Sequence, residues 1–395
     1  MVKWIFVALV ASAGSVQAAS LAELLEAAWA RRPEAQSLQA RRLEARESGA
    51  PAESLLAGAP ALGLSTRNDR LTENRGKLEY EVEVSAPLWL PGEREARRTL
   101  ASAEVALPDA AAAVARLGLA GDLRRIVWLA LAARADTALI RARREAAEAL
   151  AADVERRARG GELARADALL ARADALRVQG LQVAAEGRLQ NALAQLRLLT
   201  GAERLPEPAE EPLRDAAPAQ EDPRLAAAAA AIERARAQSG LTALATRASP
   251  EFGVQFRRDR DRSGVEANDS LSFQLRIPFA TEARNRPLRA AAEARLTEAM
   301  VEARYRRSAL DAAAQAASLE LENARRALPP ADARREATRE AERLARQAFR
   351  LGETSLAELL RTTAIAADAE GDALAARLAV SRAIAMLNQA RGWMP

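Results

Sequence analysis

Residues 77–87 read Lys-Leu-Glu-Tyr-Glu-Val-Glu-Val-Ser-Ala-Pro, and polar and apolar side chains alternate without exception up to the closing proline. A period of two predicts a β-strand, and Pro87 ends it because proline cannot donate to a strand ladder. One face of this strand carries the apolar side chains Leu78, Tyr80, Val82 and Val84, and the other carries the carboxylates Glu79, Glu81 and Glu83. The stretch therefore predicts a sheet that separates an apolar environment from a charged one.

The chain repeats this arrangement about 190 residues further on. Pro60-Ala-Leu-Gly-Leu-Ser-Thr-Arg-Asn-Asp69 aligns with Pro250-Glu-Phe-Gly-Val-Gln-Phe-Arg-Arg-Asp259. Downstream and without a gap, Gly161 aligns with Gly352 and Asp167 with Glu358. Each half predicts a helix, two short strands, a very long helix, a glycine-containing turn and a returning helix. Two copies are too few for a solenoid, so the duplication indicates another closed, symmetric object.

The predicted organisation has four parts. Residues 1–18 are expected to be a secretory signal, because Met1-Val-Lys3 precedes an apolar run that ends at the small-residue site Val16-Gln17-Ala18. The first repeat covers 19–201, a linker rich in Pro and Glu covers 202–222, and the second repeat covers 223–395. The predicted strands are 60–68, 77–87, 250–258 and 269–278, and the predicted long helices are 92–159, 164–200, 282–351 and 355–391. The expected fold class is mainly α with four β-strands per chain.

The helical segments carry their own start and break signals. Ser20-Leu-Ala-Glu23 is a capping-box pattern, which predicts a first helix that runs to about Ala57. Each of the two longest helices would reach roughly 100 Å at about 1.5 Å per residue. Pro108 is expected to kink the first of them, and Pro329-Pro330 to break or bend the second.

Composition argues against most enzyme classes. The chain has no Cys and no His, so it offers no thiolate nucleophile, imidazole base, disulfide or lipid-modified cysteine. It also lacks a Gly-x-Ser-x-Gly elbow, a phosphate-binding loop and a dinucleotide fingerprint. We therefore expect no catalytic residue, no cofactor and no protein-bound metal.

The basic residues do not form a nucleic-acid surface. Arg and Lys number 58 and Asp and Glu number 54, and the two signs are mixed along the helices, as in Arg141-Ala-Arg-Arg-Glu145. Such mixing is typical of solvated helix faces that carry salt bridges. A nucleic-acid partner is not expected.

Four strands per chain constrain how this protein can meet a membrane. No segment after the signal approaches ~20 apolar residues, so a membrane would be entered by the strands. Four strands cannot close a barrel, since known barrels begin at about eight, and open edges in lipid leave amides unpaired. Three copies would give a twelve-stranded β-barrel and, with four long helices each, a twelve-helix α-barrel. The barrel lumen would then be lined by Glu79, Glu81, Glu83, Arg257 and Arg276.

Aromatic residues favour this membrane interpretation. Six of them lie in or beside the four strands, where interfacial belts place them: Tyr80, Trp89, Phe252, Phe256, Phe273 and Phe279. The alternative is a small soluble sheet that caps a helical bundle, because aromatic side chains favour any strand.

The layout resembles the TolC-like family of outer-membrane efflux proteins, over nearly the whole chain after the signal. The resemblance rests on the order of the duplicated elements, on Pro-Leu-Trp-Leu-Pro-Gly-Glu-Arg at 87–94, and on the paired tips Gly161…Asp167-Ala-Leu-Leu170 and Gly352-Glu-Thr-Ser-Leu-Ala-Glu358-Leu-Leu360. It implies a homotrimeric conduit in the outer membrane that extends into the periplasm, where it meets a periplasmic adaptor and, through it, an inner-membrane pump. The run at 87–94 is similar to the heavy-metal efflux branch.

The same resemblance assigns roles at the periplasmic tip. Glu358 matches an acidic ring of the family, whereas Arg361 replaces a second acidic position, so neighbouring charges could lock the aperture. Gly161 and Gly352 are positions where the family docks its adaptor. The residues themselves allow simpler interpretations: Ser355-Leu-Ala-Glu358 is a capping box, and the two glycines supply left-handed helix ends. Asp167 is expected to pair across the tip, with Arg165 or Arg350 as its partner.

The function that these patterns favour is a passive exit duct of a tripartite efflux or type I secretion system, with a gated tip. The rival from another class is a soluble periplasmic coiled-coil scaffold or adaptor, which binds without conducting. An adaptor would be expected to carry a lipoyl-like or small β-barrel domain between its helical arms, and the sequence shows only hairpins there.

Overall fold

The computed structural model describes residues 20–207, 209–214 and 222–395. It is mostly helical with four antiparallel strands, which confirms the predicted fold class at that level. The elements are α1 (Leu21–Ala30), α2 (Pro33–Glu47), β1 (Ala61–Asn68), β2 (Leu78–Pro87), α3 (Glu93–Arg159), α4 (Arg165–Thr200), α5 (Pro223–Leu244), β3 (Glu251–Arg260), β4 (Asn268–Arg276), α6 (Glu282–Leu351) and α7 (Leu356–Ala390). The signal predicted at 1–18 lies outside the described residues, as do positions 208 and 215–221 of the predicted linker. No helix among the described residues is long and apolar enough to cross a membrane.

The first helix is shorter than predicted. The capping box at Ser20 is present: the Glu23 amide donates to the Ser20 hydroxyl at 3.2 Å, and the Ser20 amide donates to the Glu23 carboxylate at 2.8 Å. The expectation of one helix to Ala57 was wrong, because the chain breaks at Arg32 and α2 ends at Glu47. Arg32 is extended (φ −77°, ψ 139°), as a residue before proline prefers, and Pro33 then starts α2 at its first position.

The two longest helices pass through their prolines. α3 has 67 residues and contains Pro108, and α6 has 70 residues and runs without interruption through Pro329 and Pro330. A break in α6 at Pro329-Pro330 was therefore wrong, while the alternative of a bend there and the kink at Pro108 stay predictions. Both prolines of α6 are exposed, so the carbonyls that lose an amide partner can bond to water instead.

Contacts divide the chain into two compact units, and each unit draws on both sequence repeats. The first comprises the described residues of the ranges 1–31, 118–217 and 314–395. Its largest core joins α1 to α3 and α4, and its buried members include Leu24, Leu123, Val127, Trp128 and Leu196.

An ionic cluster stands beside that core. The guanidinium of Arg124 is fully buried and donates to both carboxylate oxygens of Glu211, at 2.7 and 2.6 Å. It also donates to the Trp393 carbonyl at 3.0 Å and to the Gln389 side chain. The cluster therefore ties α3 to the segment after α4 and to the C-terminus.

The second unit comprises residues 32–117 and 218–313 and contains the sheet. A single 3-10 turn, Ala50–Glu53, leads towards β1. Arg94 at the start of α3 donates to the carbonyls of Ala52 and Glu53, at 3.1 and 2.8 Å, and the Trp89 indole donates to the Ser54 carbonyl at 3.2 Å. These bonds fix the junction at which β2 continues into the long helix.

Candidate functional site

The four strands form one antiparallel sheet in the order β1-β2-β3-β4. Each predicted hairpin is present, and β2 of the first pairs with β3 of the second over ten residue pairs, from Leu78↔Arg260 to Pro87↔Glu251. Within the part of the chain that the structure describes, β1 and β4 each pair on one side only. The sheet therefore has two open edges.

One face of the sheet is apolar and exposed. Directly opposed side chains form rows across it, such as Leu64, Val82, Phe256 and Leu271. Phe252 and Phe273 stack with ring centroids 6.4 Å apart. Ten large apolar side chains of this face are exposed, among them Leu64 (72%) and Phe273 (68%): Leu62, Leu64, Tyr80, Val82, Val84, Phe252, Phe256, Leu271, Phe273 and Leu275. Contiguous exposed apolar surface of this kind marks a contact with a membrane or a partner.

The opposite face is polar and collects every lumen residue that the sequence predicted. Its rows place Arg67 beside Glu79, Glu81 beside Arg257, and Glu251 beside Arg276. Arg257 forms ion pairs with Glu79 and, at 3.8 Å, with Glu81; Arg276 pairs with Glu251 at 3.4 Å. Glu79 is only 4% exposed, so the polar side chains cover one another on this side.

Sequence reasoning predicted a loop between β1 and β2 but missed the hydrogen bonds that Asp69 makes within it. The Asp69 carboxylate accepts hydrogen bonds from three successive amides, those of Arg75 (2.7 Å), Gly76 (3.2 Å) and Lys77 (3.0 Å). The Ser263 amide, in the loop between β3 and β4, donates to the Arg75 carbonyl at 3.1 Å. An Asp directly after a strand commonly accepts hydrogen bonds from backbone amides of the following turn, and this signal would have indicated the role of Asp69.

The second candidate region, which we call the helical tip, comprises residues 150–171 and 345–363 of the first unit. Gly161 and Gly352 have φ values of 82° and 76°, which confirms the left-handed helix ends predicted there. After each glycine the next amide reaches back to close the helix: Glu162 donates to the Arg157 carbonyl and Glu353 to the Ala348 carbonyl, both at 2.9 Å. This is the Schellman arrangement.

The two turns of the helical tip share one small core. Its buried side chains come from all four helices that meet there: Val154, Ala168, Ala171, Phe349, Leu356 and Leu359. The Arg157 guanidinium lies 5.2 Å above the Phe349 ring, and its Nε is 3.1 Å from the Glu162 carboxylate. The contact of Arg157 with Phe349 went unpredicted, because it depends on helices far apart in the sequence.

Glu358 and Arg361 contact each other directly. The Ser355 hydroxyl caps α7 by accepting from the Glu358 amide at 3.3 Å. The Glu358 side chain pairs with Arg361, through an Nη2–Oε1 contact of 2.6 Å and an Nε–Oε2 contact of 3.1 Å. These hydrogen bonds lower the pKa of Glu358 below its ordinary value; desolvation opposes the shift and the charge of Arg361 adds to it. Of the two hydrogen bonds of the predicted capping box, the one from the Glu358 amide to the Ser355 hydroxyl therefore forms, and the Glu358 carboxylate bonds to Arg361 instead of the Ser355 amide.

Asp167 occupies the matching place in the first turn of α4. The expected ion pair with Arg165 or Arg350 is not formed among the described residues, so that prediction was wrong. Ala164 precedes the helix and has no side chain that could cap it. Asp167 instead places its negative charge at the positive end of the helix dipole.

Solved structures share this fold. A membrane protein from Pseudomonas aeruginosa matches with a TM-score of 0.74 at 20% identity, over 94% of this chain and 93% of that one. The outer membrane protein VceC from Vibrio cholerae matches with a TM-score of 0.72 at 16% identity, over 94% and 96%. The CmeC outer membrane channel of Campylobacter jejuni matches with a TM-score of 0.71 at 13% identity, over 94% and 85%.

The sequence itself gives no closer match: no family model and no curated protein matches this chain. The likeness is therefore one of fold, and it covers both the sheet and the long helices. It agrees with the resemblance to the TolC-like family that the element order suggests.

Proposed function

We propose that this chain is the outer-membrane exit duct of a tripartite efflux or type I secretion system and works as a homotrimer. The observation that carries the proposal is the sheet: one face is apolar and exposed, the other is polar, and both edges are unpaired among the described residues. Three such sheets joined edge to edge would form a barrel of twelve strands with lipid outside and water inside.

The open edges favour closure by sister copies. In hydrocarbon an unpaired amide or carbonyl costs several kcal/mol, so an open edge is not tolerated there. Pairing β1 of one copy with β4 of the next would satisfy both edges at once. Closed rings of identical subunits arise in this way from head-to-tail contacts.

The strand lengths suit an outer membrane. β2 and β3 have 10 residues each, which corresponds to about 34 Å of extended chain. Tilted by about 40°, such a strand rises roughly 26 Å, close to the ~25 Å apolar band of outer-membrane barrels. Tyr80 and Arg258 are directly opposed on the apolar face near the loop end of the sheet, where aromatic and basic side chains meet the lipid headgroups.

The long helices α3, α4, α6 and α7 would supply the periplasmic part. Four from each of three copies would form a twelve-helix tube that continues the barrel lumen. The known channels of this fold, such as CmeC of Campylobacter jejuni, reside in the outer membrane, which supports the same location here. A passive duct of this kind needs a periplasmic adaptor and an inner-membrane pump to supply the energy.

The helical tip would then be the gate and the docking place for the adaptor. Gly161 and Gly352 expose backbone at the ends of α3 and α6, with open space where a side chain would stand. Asp167, Glu358 and Arg361 lie in the first turn or two of the returning helices. In a trimer these charges would recur three times around the aperture.

A soluble scaffold or adaptor explains the sheet less well. Such a protein would leave the ten exposed apolar side chains of the sheet in water, on a surface that the long helices do not cover. The exit duct gives them lipid to contact.

Disulfide trapping tests the proposal, because the chain has no cysteine of its own. Ser65→Cys in β1 is combined in turn with Ser270→Cys, Ser272→Cys and Gln274→Cys in β4, and each single variant serves as the control. We expect one pair to form a covalent trimer in outer-membrane fractions, while the single variants do not. A soluble monomer that no pair links would refute the duct.

A further inference from the structure

The polar face of the sheet carries five carboxylates within its strands, and four of them lie within 4.0 Å of a guanidinium nitrogen. Glu79, Glu81 and Asp259 contact Arg257, and Glu251 contacts Arg276. Glu83 is the fifth. No cation lies within that distance of it among the described residues, although it stands on the same strand as Glu79 and Glu81.

The neighbours of Glu83 explain why it stays unpaired, because none of them carries a positive charge. Its direct neighbours on the adjacent strands are Gly63 on β1 and Gln255 on β3, and Gly253 lies diagonally across, opposite Ser85. A Cβ added at Gly253 would come within 3.2 Å of a carboxylate oxygen of Glu83, so the carboxylate lies over the bare backbone of that residue. In the rows of Glu79 and Glu81, by contrast, the neighbouring strands supply Arg67 and Arg257.

We infer that Glu83 sets the ionic preference of the channel and gives it selectivity for cations. This inference rests on the proposed duct, in which the polar face lines the lumen. The carboxylates of Glu79, Glu81 and Asp259 share Arg257, so a guanidinium offsets part of their charge. The unpaired carboxylate of Glu83 keeps its full charge, which attracts cations and repels anions. Threefold repetition would place three free carboxylates at one level of the barrel, where the neighbours Gly63 and Gln255 supply no guanidinium.

Reversal potentials of purified trimers in planar bilayers test the inference. A KCl gradient at low ionic strength is suitable, because about 0.1 M salt already screens charges beyond ~10 Å. We expect the wild-type channel to prefer K⁺ over Cl⁻. Glu83→Gln should lower the permeability ratio towards unity by about twofold or more, whereas Glu83→Asp should retain the preference.

A variant that gives Glu83 a positively charged partner tests the role of Gly63. Gly63→Arg places a guanidinium beside Glu83, at a site where a new Cβ would be at an ordinary contact distance of 3.5 Å from the Cβ of Glu83. It should lower the K⁺ to Cl⁻ permeability ratio towards unity, as Glu83→Gln does. The matched control is Glu251→Gln combined with Arg276→Gln, which removes one pair of opposite charges from the same face and should leave the ratio unchanged.

The outcomes separate this inference from the proposed function. A conducting trimer whose permeability ratio does not change with Glu83→Gln would overturn the role of Glu83 and leave the duct intact. A ratio that falls equally in the paired-charge control would also overturn it, because the effect would then not belong to the unpaired carboxylate. Wild-type protein that conducts no ions would overturn both.

Discussion

Glu358 accepts two hydrogen bonds from Arg361, three residues further along α7, at 2.6 and 3.1 Å. The same geometry occurs on α6, where Glu340 accepts from Arg343 at 2.6 and 2.8 Å. The side chains of both pairs are well exposed. The two pairs thus differ chiefly in place: Glu358 lies within the helical tip, and Glu340 lies outside it, within α6.

The first prediction concerns the gate and uses this matched pair. Arg361→Gln leaves Glu358 without its cation, so three unpaired carboxylates would repel one another around the proposed aperture. We expect a several-fold rise in the conductance of the resting channel in planar bilayers. Arg343→Gln breaks an equivalent pair away from the helical tip and should leave conductance unchanged. Equal effects of the two variants would remove the gate assignment.

The second prediction concerns pH. Hydrogen bonds from Arg361 lower the pKa of Glu358 in the folded protein. A depressed carboxyl pKa stabilises the fold above the unfolded value of about 4.3, and this contribution is lost as the pH falls through the folded value. The pair should therefore stay intact from pH 7 to 5. Titration of labelled glutamate by NMR should show the Glu358 pKa rising in Arg361→Gln, and an unshifted titration would contradict the contact.

Local patterns in the sequence predicted the two-faced strands well. The alternation of Glu79, Glu81 and Glu83 with apolar residues depends only on the period of a strand, and the structure places these three carboxylates on one face. The glycine turns at Gly161 and Gly352 were equally visible, because a helix that ends in a left-handed residue favours glycine. These features are set by neighbours along the chain.

Contacts between distant segments were not predictable in this way. Arg124 and Glu211 are 87 residues apart, and nothing in either local pattern indicates the other. At Glu358 the capping-box pattern predicted the Ser355 amide as the partner of the carboxylate, and in the structure Arg361 donates to it instead. The break at Arg32 is different, because Pro33 is a local signal for it: a residue before proline disfavours the helical conformation.

The third prediction concerns the buried cluster of Arg124. Arg124→Met leaves the Glu211 carboxylate, which is 9% exposed, without its partner. Breaking a buried ion pair on one side costs about 3–5 kcal/mol, so the thermal unfolding midpoint of the purified protein should fall clearly. Combining it with Glu211→Leu should recover much of the loss, since both charges are then gone.

A neighbouring arginine provides the control for that cluster. Arg125 is 60% exposed and pairs with Asp122 at 3.8 Å, so Arg125→Met should change stability by no more than about 1 kcal/mol. Similar losses from Arg124→Met and Arg125→Met would show that burial of the first pair is not what matters.

The fourth prediction concerns the two loops that contact each other beyond the strands. Gly76 has φ +85°, and a Cβ there would clash with Ser263. Gly76→Ala should therefore loosen the loop and speed trypsin cleavage after Arg70 and Arg75. Gly264→Ala is the control: its φ is +84°, but no atom lies within 4 Å of the new Cβ. A faster cleavage in Gly264→Ala than in Gly76→Ala would show that the contact with Ser263 is unimportant.

The last prediction concerns the ends of the long helices. Gly352 has φ 76° and Gly161 has φ 82°, with open space around both, so an alanine at either position meets backbone strain and no clash. That strain costs about 1 kcal/mol or slightly more, and trypsin should cleave after Arg350 in Gly352→Ala about fivefold faster. Gly161→Ala should speed cleavage after Arg159 to a similar degree.

Gly160→Ala is the control that distinguishes this backbone strain from the effect of replacing any glycine at the end of the helix. Its φ lies outside the left-handed region, and a new Cβ would meet only helix carbonyls at 3.6 Å, an ordinary contact distance. Gly160→Ala should leave the cleavage rate unchanged or lower it, because alanine favours the helix and restricts the unfolded chain. If Gly160→Ala and Gly161→Ala were cleaved equally fast, the left-handed turn would not be what holds the helix end, and the Schellman bond from Glu162 to Arg157 would be too weak to matter.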